Sequence, residues 1–147
     1  MPAKAKHNQT PRLVDPEKQA SWFARVRQAH QTETTEDYVE LIADLISIQN
    51  EARASDLAAR LGVSHPTVSK MLVRLQNEGY IQSKPYRSIF LTKKGNELAK
   101  KCKERHQIVL NFLINLGVSA EIAEFDAEGI EHHISDETLK IMKKHYT

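Results

Sequence analysis

The sequence predicts a mainly α-helical chain with a small β-wing: a winged helix-turn-helix, then a long helix, then further short helices. Three observations carry this reading. Residues 55–75 hold two short amphipathic segments separated by Gly62-Val63, which is a helix-turn-helix pattern. Two apolar runs, Tyr80-Ile81 and Ile89-Phe90-Leu91, flank the turn Lys84-Pro85-Tyr86-Arg87. The stretch from Thr92 to Leu116 contains no proline, and Leu98, Ile108, Val109, Phe112 and Leu113 recur along it.

Each element has its own signals. Residues 1–14 are polar and contain lysine and proline, so they are expected to be disordered. Asp15-Pro16-Glu17 predicts a helix start, with Asp15 as cap and Pro16 at the first helical position. That short helix carries Trp22, Phe23 and Val26 as an apolar stripe expected to dock on another element. A second helix, from about Thr35 to Gln49, is expected to be capped by Thr34 or Thr35. Its buried face is Tyr38, Leu41, Ile42, Leu45 and Ile46.

Ser55 is expected to cap the helix Asp56–Leu61, and Ser64 the helix that Gly79 ends. After Gly117, one helix is expected from Ala120 to about His133 and a last one from Ser135 to about Lys144. The segments then group as an extension over 1–34, a winged helix-turn-helix over 35–95, and a linker helix with a terminal helical domain over 96–147.

Composition narrows the function classes. The 147 residues are 40% hydrophobic, enough for a core, yet no apolar run approaches the roughly 18 residues a membrane span needs. The N-terminus lacks the apolar segment of a secretory signal, and Cys102 is the single cysteine, so a reducing cytoplasm is expected. The net charge of +2 hides an asymmetry. Residues 51–105 carry 12 Lys/Arg against 5 Asp/Glu, a net +7, whereas residues 106–147 carry 3 against 7, a net −4. A basic middle segment fits a polyanion, and an acidic end fits cations or plain solvation.

Together, the basic segment and the winged helix-turn-helix point to double-stranded DNA. The second helix can enter a major groove, presenting His65, Pro66, Thr67, Ser69 and Lys70 from its first turns. Thr67 and Lys70 can reach base edges. Arg74, Lys84 and Arg87, with Lys93 and Lys94, fall where phosphates would pass.

A second constellation points to metal. Glu128, Glu131 and His132 fall at i, i+3 and i+4, one face of a helix, and Asp37 and Glu40 form another i, i+3 acidic pair. His106 lies midway along the long helix. Brought together, these carboxylates and imidazoles would repel one another unless a divalent cation sat between them. Oxygen-rich ligation with some imidazole and no thiolate favours Mn(II) or Fe(II) over zinc. Each acidic pair also has an ordinary reading, as a favourable macrodipole partner near a helix start or as a solvated face. His7, His30, His65 and His145 are expected not to be ligands, and His133 is expected beside the cluster or on the surface.

The motifs Glu36-Asp37-Tyr38-Val39-Glu40, Leu61-Gly62-Val63-Ser64 with Thr67-Val68, Arg105-His106 and Asp126–His133 resemble the diphtheria toxin repressor family of metal-dependent transcription regulators. The resemblance runs from about Thr35 to the C-terminus. It implies a homodimer, with the winged-helix domain joined by the long helix to a helical dimerisation domain, and with no SH3-like third domain. It also implies the ligand set Asp37, Glu40, His106, Glu128, Glu131 and His132 around a pair of Mn(II) ions per subunit. The iron-responsive branch has a methionine in place of Asp37 and a cysteine in place of Glu128. Two hard carboxylates here argue for manganese, and the resemblance then implies repression of manganese uptake genes in the metal-loaded state. No membrane partner and no small organic ligand are expected. The alternatives are an iron-responsive regulator of the same family, a winged-helix regulator without metal sensing, and a two-metal hydrolase.

Overall fold

The computed structural model describes residues 12–84 and 87–147. Most of the N-terminal stretch expected to be disordered, and Pro85-Tyr86 of the expected turn, lie outside the described residues. Six helices and a two-stranded wing follow in order.

Helix α1 spans Pro16–Gln49 without a break. The sequence reading placed a boundary near Thr34-Thr35, but no glycine interrupts the segment and its only proline stands at the first position, where the ring is tolerated. Thr35 is buried on the helix rather than capping it. The 34 residues reach roughly 50 Å. Trp22, Phe23 and Val26 are 50%, 59% and 47% exposed, so the expected docking of that stripe is not seen among the described residues. Asn50 ends the helix in the left-handed conformation, its N–H donating to Ile46 O.

Helix α2 (Ala54–Leu61) starts one residue before the expected cap. Asp56, not Ser55, supplies the capping oxygen, accepting the Arg53 N–H at 3.2 Å. Gly62, at φ 67°, makes the turn into α3 (His65–Asn77). Ser64 caps α3 as expected, its hydroxyl accepting the Thr67 N–H at 3.3 Å. Strand β1 (Ile81–Gln82) pairs antiparallel with β2 (Phe90–Leu91), and the Ile89 N–H reaches back to Ala52 O at 2.8 Å. This fixes the base of the wing on the start of α2.

The core of this half is built from α1 (Tyr38, Val39, Ile42, Leu45), α2 (Leu57, Ala58), α3 (Val68, Met71, Leu72, Leu75) and the wing (Ile81, Ile89). Every one of these positions repeats at helical or strand spacing, which is why burial follows the sequence pattern closely.

Helix α4 (Lys93–Asn115) is capped by Thr92 and serves both halves. Its start packs by way of Ala99 on the first core. Further on, Val109 and Leu110 join Ala123 and Ala127 of α5 (Ala120–Ile130) in a second core, with Leu139 and Met142 of α6 (Asp136–Tyr146) against it. The helix expected to run to His133 stops at Ile130 and tightens into a 3-10 turn, Glu131–His133. There the Arg105 guanidinium takes the Glu131 carbonyl at 3.1 Å, an oxygen that a continuing helix would have used itself.

Candidate metal centre and nucleic-acid interface

Between the two cores, four elements converge. Helix α1 contributes Glu36, Asp37 and Glu40; α4 contributes Arg105 and His106; α5 contributes Glu128; and the 3-10 turn contributes Glu131 and His132. Glu131 and His132 are almost wholly buried, at 1% and 6% exposure.

His132 is held by its own back. Its Nδ1 donates to Glu36 Oε2 at 2.8 Å, which turns Nε2 toward Asp37 Oδ1 at 3.1 Å and Glu131 Oε1 at 3.4 Å. Neither contact is aligned as a hydrogen bond. His132 Nε2 and Glu131 Oε1 are the buried side-chain atoms left without a partner among the described residues. Such orphaned polar atoms are costly in a protein interior unless a further group satisfies them. On the other side of Glu131, Oε2 meets His106 Nδ1 at 2.7 Å, while Glu128 Oε1 stands 3.8 Å from the same nitrogen.

One donor atom each from His106, Glu128 and Glu131 falls within 4.8 Å of the others, and the same holds for Glu33, Asp37 and His132. The six residues singled out in the sequence are thus brought to one place, with Glu40 close enough to Glu128, His106 and His132 for their charges to act on it. The set is hard oxygen plus imidazole, and its inward atoms lack partners; it fits a divalent cation.

The electrostatics describe a site under strain. Burial and the Glu40 carboxylate push Glu131 up to about 7. Burial would lower His132, but the Asp37 and Glu36 carboxylates beside it outweigh that and raise it to about 10. Burial likewise opposes the charge on His106, and the charge and hydrogen bond of Glu131 overcome it, so its pKa is raised. Glu40 is raised by burial and then by Glu128 and Asp44. Glu36 alone goes the other way. Burial raises it, but the His132 hydrogen bond and the Arg105 and His132 charges bring it below the usual value.

Several contributors were not picked out as site residues from the sequence. Glu36 orients His132, Arg105 ties Glu36 to the 3-10 turn at 3.3 Å, and Glu124 holds His106 Nε2 at 3.0 Å. Glu36 stands between Thr35 and Asp37 and Glu124 between Ala123 and Phe125; nothing in the local pattern sets either apart, so only contact reveals them.

The second surface lies at α3 and the wing. His65, Pro66, Thr67, Ser69 and Lys70 are all exposed, whereas Val68 and Leu72 of the same helix are buried. Lys84 and Arg87 are exposed on the wing and share with His65 and Ser69 a groove of about 720 Å³. Arg74 forms an ion pair with Glu78 at 2.9 Å along the same helix. Lys94 departs from expectation: its ammonium donates to Glu78 O at 2.7 Å and lies 4.3 Å over the Tyr80 ring, closing the end of α3 instead of standing free along a phosphate path.

Comparison with known proteins decides the family. Residues 30–89 match the profile described as iron dependent repressor, N-terminal DNA binding domain, and residues 92–146 match iron dependent repressor, metal binding and dimerisation domain. The chain belongs to the iron-dependent repressor family. This is the diphtheria toxin repressor family its motifs resemble. Among curated relatives, the transcriptional regulator MntR of Salmonella typhimurium is 59% identical over 86% of this chain and 81% of its own length. MntR of Escherichia coli O157:H7 is 58% identical over 86% and 82%.

Among solved structures, the manganese regulator SloR aligns with a TM-score of 0.65 and 31% identity, covering 75% of this chain and 52% of that one. A manganese-dependent transcriptional repressor in complex with manganese aligns at 0.69 and 27%, covering 76% and 51%. This member of the family thus spans about half the length of those two structures. It is a metal-dependent, DNA-binding transcription regulator and not an enzyme, which removes the two-metal hydrolase alternative. Among the described residues no helix is long and apolar enough to cross a membrane.

Proposed function

We propose that this chain is a Mn(II)-responsive repressor that, as a homodimer in the cytoplasm, binds operator DNA of manganese uptake genes when metal-loaded. The observation that carries the reading is the burial of Glu131 Oε1 and His132 Nε2 without partners, facing Asp37 across the joint between α1 and the 3-10 turn. Asp37, Glu40, His106, Glu128, Glu131 and His132 would hold the ions, two per subunit with shared carboxylates. Manganese is favoured over iron by the hard carboxylates at Asp37 and Glu128 and by the relatives named MntR. When bound, the ions would supply positive charge that cancels the repulsion among these carboxylates and crosslinks the two halves.

The residues do the rest. Asp37 and Glu40 lie on the helix that forms the first core, and Glu128, Glu131 and His132 lie against the second. Their mutual distance therefore reports how α3 is set relative to the dimerisation half. Two recognition helices in a dimer must match half-sites a fixed number of turns apart. Like charges left facing one another loosen that setting, so DNA binding then carries a larger ordering cost. By linkage, DNA tightens metal binding by the same factor as metal tightens DNA. For the dimer, α5 exposes Ile122 and Phe125 at 52% and 81%, beside Leu116 at 56%, a patch suited to a second copy of the chain.

The experiment is operator titration of the wild type and of Glu128→Ala/Glu131→Ala, at one salt concentration, with Mn(II), Fe(II), Co(II), Zn(II) or EDTA. Expected is tight binding by the wild type with Mn(II), weak binding in EDTA, and loss of the metal response in the double variant. Equal wild-type affinity in EDTA and Mn(II), or a metal response retained by the double variant, overturns the reading.

A further inference from the structure

We propose that His30, Glu33 and His133 form a further cation site, separate from the six-residue centre, that takes a borderline divalent ion such as Zn(II). Helix α1 brings His30 and Glu33 onto one face at i, i+3, and the 3-10 turn sets His133 opposite them. One donor atom of each residue lies within 4.8 Å of the other two. His30 Nδ1 and His133 Nε2 both stand 3.4 Å from the same oxygen, Glu33 Oε2.

That separation is informative. A charge-assisted hydrogen bond between imidazole and carboxylate closes to about 2.7–2.9 Å, as His106 and Glu131 do at 2.7 Å. Two ligands at about 2.05 Å from a tetrahedral zinc ion stand about 3.4 Å apart. The geometry is too open for good hydrogen bonds and matches two edges of a metal coordination shell. The rings of His30 and His133 meet edge-on, with centroids 4.9 Å apart, beside the carboxylate they share.

The chemistry differs from the main centre. Two imidazoles and one carboxylate suit Zn(II) or Co(II) better than Mn(II). The location also matters. Glu33 is the residue whose carboxylate closes with Asp37 and His132 on its other side, and His133 is the chain neighbour of His132. An ion here would pin α1 to the 3-10 turn across the same joint as the main centre. It would give a borderline metal a place to bind apart from the manganese ligands. His30 lies five residues before Thr35, where the sequence pattern alone starts the second helix. It reaches His133 only because α1 is continuous.

The test measures Zn(II) binding to the full-length, metal-free protein by calorimetry, and the visible spectrum of its Co(II) complex. Three proteins are compared: wild type, His30→Ala and Glu128→Ala/Glu131→Ala. The His30 side chain is 63% exposed, so its removal leaves the cores intact, which far-UV circular dichroism checks. His30→Ala is expected to lose one Zn(II) equivalent per subunit, or to bind it at least about tenfold more weakly. It should also lose the more intense absorption of low-coordinate Co(II), while keeping its Mn(II)-dependent operator binding. The double variant should keep that equivalent. Identical stoichiometry, affinity and Co(II) spectrum in wild type and His30→Ala overturn the proposal. A Mn(II) response surviving in the double variant would instead count against the main centre and leave this site standing.

Discussion

Glu131 Oε1 and His132 Nε2 stand 3.4 Å apart on consecutive residues of one 3-10 turn, both buried and neither hydrogen-bonded. Without a cation the pair is a cost; with one it becomes two sides of a coordination shell. Replacing Glu131 by Gln removes the buried charge while nearly conserving shape. Because burial and the Glu40 carboxylate push Glu131 up to about 7, the costly ionised form is the one populated at pH 8. Glu131→Gln should therefore melt at a higher temperature than wild type at pH 8 in EDTA, reflecting a stability gain on the order of 1–3 kcal/mol. It should gain little from added Mn(II), whereas wild type gains clearly. A lower melting temperature in EDTA would sink this account.

The pH dependence of the metal-free protein has a definite sign. His132 is raised to about 10, so its contribution is full below its ordinary 6.5 and fades as pH climbs through 10. Glu131 is raised from its ordinary 4.5 to about 7, so its ionisation penalty grows across that interval as pH rises. Both act in one direction, and thermal stability in EDTA should fall between pH 5 and 10. Metal binding needs both groups deprotonated, so apparent Mn(II) affinity should climb over the same range, by up to about tenfold per pH unit for each proton released. Free Mn(II) measured by electron paramagnetic resonance checks this; a flat profile contradicts it.

Glu36 acts through His132. Its carboxylate accepts the Nδ1 proton and fixes which ring nitrogen faces the centre. Glu36→Gln keeps the size but loses the charge that favours this tautomer and pairs with Arg105. Mn(II) affinity should drop by about 10- to 100-fold. The operator affinity at saturating Mn(II) should recover to near wild type. If it does not recover, Glu36 holds the fold rather than the imidazole.

At the joint of wing and linker helix, Gly95 leaves no room for a side chain: a Cβ there would sit 2.1 Å from the Tyr80 carbonyl oxygen. Gly95→Ala must push α4 away from the backbone that Thr92 also grips, at 2.6 Å to Gly79 O. A loss of about 3 kcal/mol in urea unfolding is expected. Unchanged stability would mean that the close approach is not maintained in solution.

On the DNA surface, Lys84 and Arg87 are exposed at the groove, where phosphates are expected to pass. Lys84→Ala/Arg87→Ala should weaken binding similarly on all sequences and reduce the slope of log affinity against log salt by about 2. Lys70→Ala should instead cost about 1–3 kcal/mol at particular base pairs. A double variant that alters sequence preference with its salt slope intact would reverse these roles.

What the sequence by itself determined is everything set by local period and chemistry. Helix, turn and wing follow from spacing, from the cap Ser64, from helix starts at Thr92 and Ser135, and from glycines at Gly62, Gly79 and Gly117, which take positive φ. The six candidate ligands were legible because their residue types at helical spacing resemble a known pattern. Only tertiary structure decided the rest, since contacts between distant segments leave no period in the chain. It made α1 one helix through Thr35, converted the end of α5 into a 3-10 turn under the pull of Arg105, and set Glu36 behind His132, 96 positions away. It also brought His133 against the face of α1 that carries His30 and Glu33. Local propensity fixes the direction of each segment; where two segments meet, the energy is in burial and charge, and those exist only once the chain has folded.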